Sequence, residues 1–123
     1  MATAVLTLPA APEQARTARL VAGAAARRAG VDDELIDDVR LAVAEAVALA
    51  VTGTSDDSAG VGVAMTDDGR SFRITVTWGG AADVDVMAEE LALAVMESLA
   101  DEMLVDAAAS GGRSITMVWS TTP

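Results

Sequence analysis

The chain contains no cysteine, no histidine and no lysine. Without cysteine there are no disulfides, no thiol chemistry and no zinc finger. Without histidine there is no Ser-His or Cys-His nucleophile pair. Among charged side chains only carboxylates remain as metal ligands, and they suit magnesium or calcium better than zinc. All 8 positive charges are Arg, set against 19 acidic residues for a net charge of −11. Such a surface repels nucleic acid and anionic membranes, so the expected partners are proteins, with no nucleic acid and no membrane. No run approaches the ~18 strongly apolar residues that would span a bilayer. The opening MATAVLTLPAAPEQ lacks a positive region followed by a long apolar stretch, and so does not read as a signal peptide. A cytoplasmic location is the expectation.

What is present fits one domain spanning residues 1–123. A chain of this size buries roughly two thirds of its unfolded surface and can hold a core without staples. Ala4 to Leu8 is short, apolar and partly β-branched, and reads as a strand. Pro12 and Glu13 open a helix that runs to about Ala29, with Gly30 as its stop. Asp32 is placed to cap a second helix, with Asp33 and Glu34 in its first turn and an end near Thr52. Val61, Val63 and Met65, then Phe72, Ile74, Val76 and Trp78, alternate with period two around an Asp67-Asp68-Gly69 turn. Ala88 to Ala100 returns to helical spacing, with Leu91, Val95 and Leu99 on one stripe. Met103 to Val105 and Ser114 to Trp119 read as the last strands. The order β-α-α-β-β-α-β-β predicts an α+β two-layer sandwich: a mixed five-stranded sheet with three helices on one face.

The second helix has definite geometry. Leu35, Val39, Ala42, Val43, Ala46, Val47 and Ala50 share one broad face, assigned to the core. Glu45 lies on another row, with Asp38 and Leu41 before it and Ala48, Leu49 and Thr52 after it. It is the only acid between Arg40 and Val51. Two readings stand: a solvent-facing residue on an Ala-rich helix, or a carboxylate lining a cleft.

The element order and the phrase DDVRLAVAEAVALAV resemble the anti-sigma-factor serine kinases of bacteria, members of the GHKL superfamily that includes histidine-kinase-like ATPase domains. Arg40-Leu41-Ala42-Val43, Glu45-Ala46 and Ala50-Val51 match that family's second helix. An apolar strand before PEQARTARLV, and LALAVMESLADEMLVD before a Gly-rich turn and strand, extend the likeness over most of the chain. The resemblance implies that Glu45 descends from a catalytic base. It also implies a sigma factor or an anti-anti-sigma antagonist as partner, and a tendency to homodimerise. Arg19 sits about where the family often has an Arg.

The departures lie in the family's nucleotide motifs. Its magnesium-holding Asn is here Leu49, which offers no oxygen. Its adenine-reading Asp-x-Gly-x-Gly is replaced by Trp78-Gly79-Gly80-Ala81-Ala82-Asp83, with no Asp at the strand end. Its phosphate-facing Gly-x-Gly-Leu is aligned with Glu90-Leu91-Ala92-Leu93, with Glu89 alongside, and carboxylates repel a triphosphate. Its Gly-Gly-Thr is Gly111-Gly112-Arg113, which keeps the turn and loses the hydroxyl. Phosphoryl transfer relies on positioning and charge neutralisation. The expectation is therefore a non-catalytic pseudokinase that needs no cofactor and sequesters a sigma factor or binds its antagonist. The alternative is an active, divergent serine/threonine kinase of an anti-anti-sigma factor using ATP and magnesium. A third reading is a dimeric structural domain without a signalling role.

Other features admit plainer readings. Pro12 to Ala29 hold Arg16, Arg19, Arg27 and Arg28 against Glu13, a local +3 that leaves −14 for the rest of the chain. These arginines form a solvated face, a docking surface, or ion pairs with Asp32, Asp33, Asp37 and Asp38 nearby, with Arg16 and Arg19 as partner-binding candidates. Asp56 and Asp57 lack the spaced pattern of a calcium loop. Met87, Met96 and Met103 read as core fillers. Trp78 and Trp119 end strands, where they cover a sheet edge or anchor a partner.

Overall fold

The alternation read in the sequence sets the inner face of a sheet. The computed structural model describes residues 2–54, 60–79, 85–107 and 112–121. Its elements are β1 (Ala2–Pro9), α1 (Gln14–Ala29), α2 (Asp33–Thr52), β2 (Gly60–Asp67), β3 (Ser71–Trp78), α3 (Val86–Leu99), β4 (Glu102–Ala107) and β5 (Arg113–Ser120). This is the expected order, an α+β fold with three helices against a five-stranded sheet ordered β1-β2-β3-β5-β4. Val61, Val63 and Met65 of β2, Phe72, Ile74, Val76 and Trp78 of β3, and Ile115, Met117 and Trp119 of β5 are all buried on the helix side. Among the described helices none is long and apolar enough to cross a membrane.

The sheet is not mixed, as expected from the sequence, but antiparallel at every ladder. The reason is topological. β4 returns from α3 in the same direction as β3 and would pair with it in parallel. The β4–β5 hairpin instead inserts β5 between them, so each neighbour runs opposite.

Small residues let α1 and α2 pack closely. Ala18, Ala22, Gly23 and Ala26 are the buried positions of α1. They meet the broad face of α2, where Val39, Ala42, Val43, Ala46, Val47 and Ala50 are buried as read from the sequence, joined by Ile36 and Leu49; Leu35 is only half-buried. Gly30 ends α1 with φ 93°, donating its N–H toward the carbonyls of Ala26 and Arg27. That left-handed conformation favours glycine because a Cβ would crowd the following carbonyl. Asp32 stands at the N-cap of α2 with extended backbone, but its side chain makes no capping bond.

Helix α3 departs most from expectation. It begins at Val86, two residues before the expected Ala88. Its one fully buried residue is Met96, while Ala92, Leu93 and Leu99 pack partly against the core. Of the apolar stripe, Leu91 and Val95 are 64% and 43% exposed, and Met87 is 71% exposed rather than a core filler. An apolar row at helical spacing does not say which of two apolar rows faces inward. Here the Met96 row wins, and Trp119 fixes it by donating from its indole N–H to the Leu99 carbonyl at 2.9 Å.

Candidate functional site

Helices α2 and α3 leave a cleft of about 390 Å³ between them. The α2 wall carries Glu45, Ala48, Leu49 and Thr52, one row at three- and four-residue steps. This is the row on which the sequence placed Glu45. Its carboxylate is half-buried, and no side chain among the described residues pairs with it. Leu49 is 8% exposed and presents an apolar surface one turn beyond Glu45. Thr52 turns its hydroxyl back to the Leu49 carbonyl at 2.9 Å.

The facing wall is the first turns of α3, with Asp85, Ala88, Glu89 and Ala92. Asp85 is the N-cap. One carboxylate oxygen, Oδ1, accepts from the N–H groups of Met87 at 3.1 Å and Ala88 at 3.2 Å. Two of the backbone donors that a helix start offers to an anion are thus taken by the chain's own carboxylate. Glu89, one turn in, leaves 12% of its side chain exposed and pairs with Arg113 at the start of β5. The Arg113 guanidinium carbon lies 5.8 Å from the centroid of the Trp78 ring. Trp78 in turn sits under the C-terminal end of α2, against Gly53.

The structure gathers some of the sequence-chosen positions and separates others. Glu45, Leu49 and Ala92 share the cleft. Glu90 is exposed and does not line it; Glu89 does. The helix begins earlier than read from the sequence, and a shift of one residue turns a side chain by about 100°. Gly79 and Gly112 meet in a second hollow with Trp78 and Arg113. Gly80, Gly111, Asp83 and the Asp56–Asp57 pair lie outside the described residues. Arg16 and Arg19 are exposed on α1, away from the cleft. Arg19 and Leu20 border a hollow shared with Asp37, Arg40 and Leu41 of α2. Of the pairings expected between the basic helix and nearby acids none forms among the described residues; Asp37 pairs instead with Arg40 on its own helix, at 3.3 Å.

Sequence reasoning passed over Asp85 and the pairing role of Arg113. An Asp immediately before a helix run is a readable cap signal, missed because the helical spacing reads from Ala88 rather than Val86. Nothing in the sequence tells that Arg113, 24 residues after Glu89, closes against it.

Comparison with known proteins agrees with this geometry. No curated protein matches the chain. Among solved structures, the crystal structure of the RsbU and RsbW domains of Rv1364c from Mycobacterium tuberculosis superposes with a TM-score of 0.77 and 26% identity. The match covers 97% of this chain and 32% of the mycobacterial one, so the chain spans about a third of that protein's length. The family model for the histidine kinase-like ATPase domain matches residues 8–119. With its element order, its α2–α3 cleft and that match over nearly its whole length, the chain belongs to the histidine kinase-like ATPase domain family.

Proposed function

We propose that the protein is a regulatory, protein-binding domain of the anti-sigma-factor type, a pseudokinase that acts by sequestering a sigma factor or engaging its antagonist. The observation that carries this reading is the occupation of the cleft by the chain's own anions. Asp85 takes two of the free N–H groups at the start of α3, those of Met87 and Ala88. Glu89 takes Arg113, the one cation beside the cleft among the described residues. A triphosphate entering there would meet two carboxylates where its family binds it through backbone donors. A magnesium ion would meet Leu49 in place of an oxygen ligand. These residues do not fit a magnesium-nucleotide, and no chemical step through one is derived.

The regulatory class is supported by the α2 phrase Arg40 to Val51 and by the likeness to a chain that bears an RsbW domain. For partner docking, the exposed Arg16 and Arg19 on α1 supply positive charge on an otherwise acidic protein. Leu20, 58% exposed, and Leu41, 52% exposed, supply apolar contact beside them. The competing reading, an active divergent kinase, is favoured by Glu45, which is half-buried in the cleft wall and has no side-chain partner among the described residues.

Calorimetric titration with Mg-ATP separates the two. The expected result is no saturable heat and no rise in melting temperature. A ligand at one hundred times its Kd would stabilise the fold by about 2.7 kcal/mol, a readily detected shift. Saturable binding would overturn the pseudokinase reading.

A further inference from the structure

The exposed face of α3 carries an apolar ridge. Met87 is 71%, Leu91 64% and Val95 43% exposed, at four-residue steps along one side of the helix. Scattered exposed apolar residues are ordinary, but a continuous row over successive turns marks an interface. The ridge covers about 12 Å of helix axis at 1.5 Å per residue.

Its borders are acidic on both sides. Ala88 and Ala92 adjoin the ridge and form one wall of the α2–α3 cleft, with the unpaired Glu45 across it on α2. On the opposite edge stands Glu90, exposed and three residues from Met87. Helix α3 has no basic residue of its own. The one cation beside the cleft among the described residues, Arg113, is already held by Glu89.

From this arrangement we propose that the α3 ridge and the adjoining cleft are a docking groove for a cationic amphipathic helix of a partner protein. The inference rests on the protein-binding reading above and names the chemistry of the segment that docks at this second surface, apart from the arginines of α1. A groove between two helices accepts a third by its apolar face, read as anchors at i, i+4 and i+8. Lysine or arginine on the flanks of that face would meet Glu45 on one side and Glu90 on the other. The charge pattern disfavours acidic helices and nucleotides alike.

The test uses the full chain and a labelled 14-residue peptide with leucines at helical spacing and lysines elsewhere, followed by fluorescence anisotropy at 150 mM salt. A scrambled peptide of the same composition controls for bulk charge. The proposal expects saturable binding of the amphipathic peptide, at least tenfold tighter than the scrambled one. The double variant Leu91→Ser/Val95→Ser changes only exposed side chains, and circular dichroism checks its fold. It should weaken binding at least tenfold. Glu45→Gln/Glu90→Gln should weaken it several-fold, whereas Asp33→Asn/Glu34→Gln, with the same charge change at the far end of α2, should alter it less than twofold. Equal loss in the two charge variants, or full binding by the Leu91→Ser/Val95→Ser chain, would overturn the proposal. So would sedimentation showing that the chain self-associates through the ridge, since the occupant would then be a second copy. Nucleotide binding bears on the pseudokinase reading alone: a chain silent to Mg-ATP that also ignores the peptide refutes only the groove.

Discussion

Arg113, the first residue of β5, closes against Glu89 in the first turn of α3 while its guanidinium lies over the ring of Trp78. Two departures that look independent in the sequence are therefore one interaction. An arginine stands where the resembling family has a hydroxyl, and an acid stands beside the positions where it has glycines. Each charge makes the other tolerable: a carboxylate 12% exposed and a guanidinium 29% exposed neutralise one another.

Arg113→Ala should destabilise the protein by about 2 kcal/mol, because it strands the Glu89 carboxylate. That is less than the roughly 3–5 kcal/mol seen when a fully buried pair is broken, since water still reaches this one. Glu89→Ala should cost less, leaving a cation that can turn outward. In a double-mutant cycle by urea denaturation, the double variant should be more stable than the sum of the two single losses predicts. Additive losses would show that the pair is not coupled.

Gly53→Ala should be destabilising although the backbone there, at φ −81°, is ordinary. A Cβ would stand 2.7 Å from the Trp78 indole nitrogen and 3.2 Å from the Leu49 carbonyl oxygen. Trp78 is buried and the carbonyl belongs to α2, so neither can yield freely. Overpacking of this kind costs about 1–3 kcal/mol. Thermal denaturation followed at 222 nm checks it, and an unchanged or higher midpoint would refute the close approach.

The physics of the sequence reached the layer architecture because it is written in periods. The β2, β3 and β5 inner rows were legible as alternation, and the α2 core face as three- and four-residue steps. Gly30 was legible as a helix stop because few other residues adopt its φ of 93°. Strand direction was not legible. It follows from β5 inserting between β3 and β4, a contact between distant segments. The core row of α3 was not legible because two of its rows are apolar; the Met96 row packs inward, where Trp119 reaches the Leu99 carbonyl. In the cleft, Glu45 and Leu49 were legible from their common row. The Asp85 cap depended on where α3 begins, and Glu89 rather than Glu90 faces the cleft because it shares the side of Met96, the row that packs inward.

Trp119→Phe should loosen α3 from the sheet. The indole N–H donates to the Leu99 carbonyl at 2.9 Å, at the last residue of the helix. The ring is fully buried, with its centroid 6.4 Å from that of Phe72. Phenylalanine removes the donor, orphans a carbonyl and leaves unfilled volume, for about 2–3 kcal/mol in total. Hydrogen exchange should speed up first at the C-terminal end of α3. Uniform acceleration across all elements would mean that Trp119 supports the whole core rather than this junction.

Asp68 gives a pH signature to the β2–β3 turn. Its Oδ1 accepts from the backbone N–H of Arg70 and that of Ser71, each at 2.8 Å. Those bonds favour the charged form and hold its pKa below the ordinary 3.8, the Arg70 bond first and the Ser71 bond second. The sign follows from linkage. The unfolded chain takes up the proton at a higher pH than the folded chain does. The stabilisation is therefore complete above the unfolded value and is lost as pH falls through the folded one. Asp68→Asn removes this dependence, because an amide cannot titrate. The wild-type chain should lose its stability margin over the variant between pH 5 and pH 2, measured by urea midpoint at constant ionic strength. A margin that stays constant over that range would show that the carboxylate is not held in its charged form by the turn.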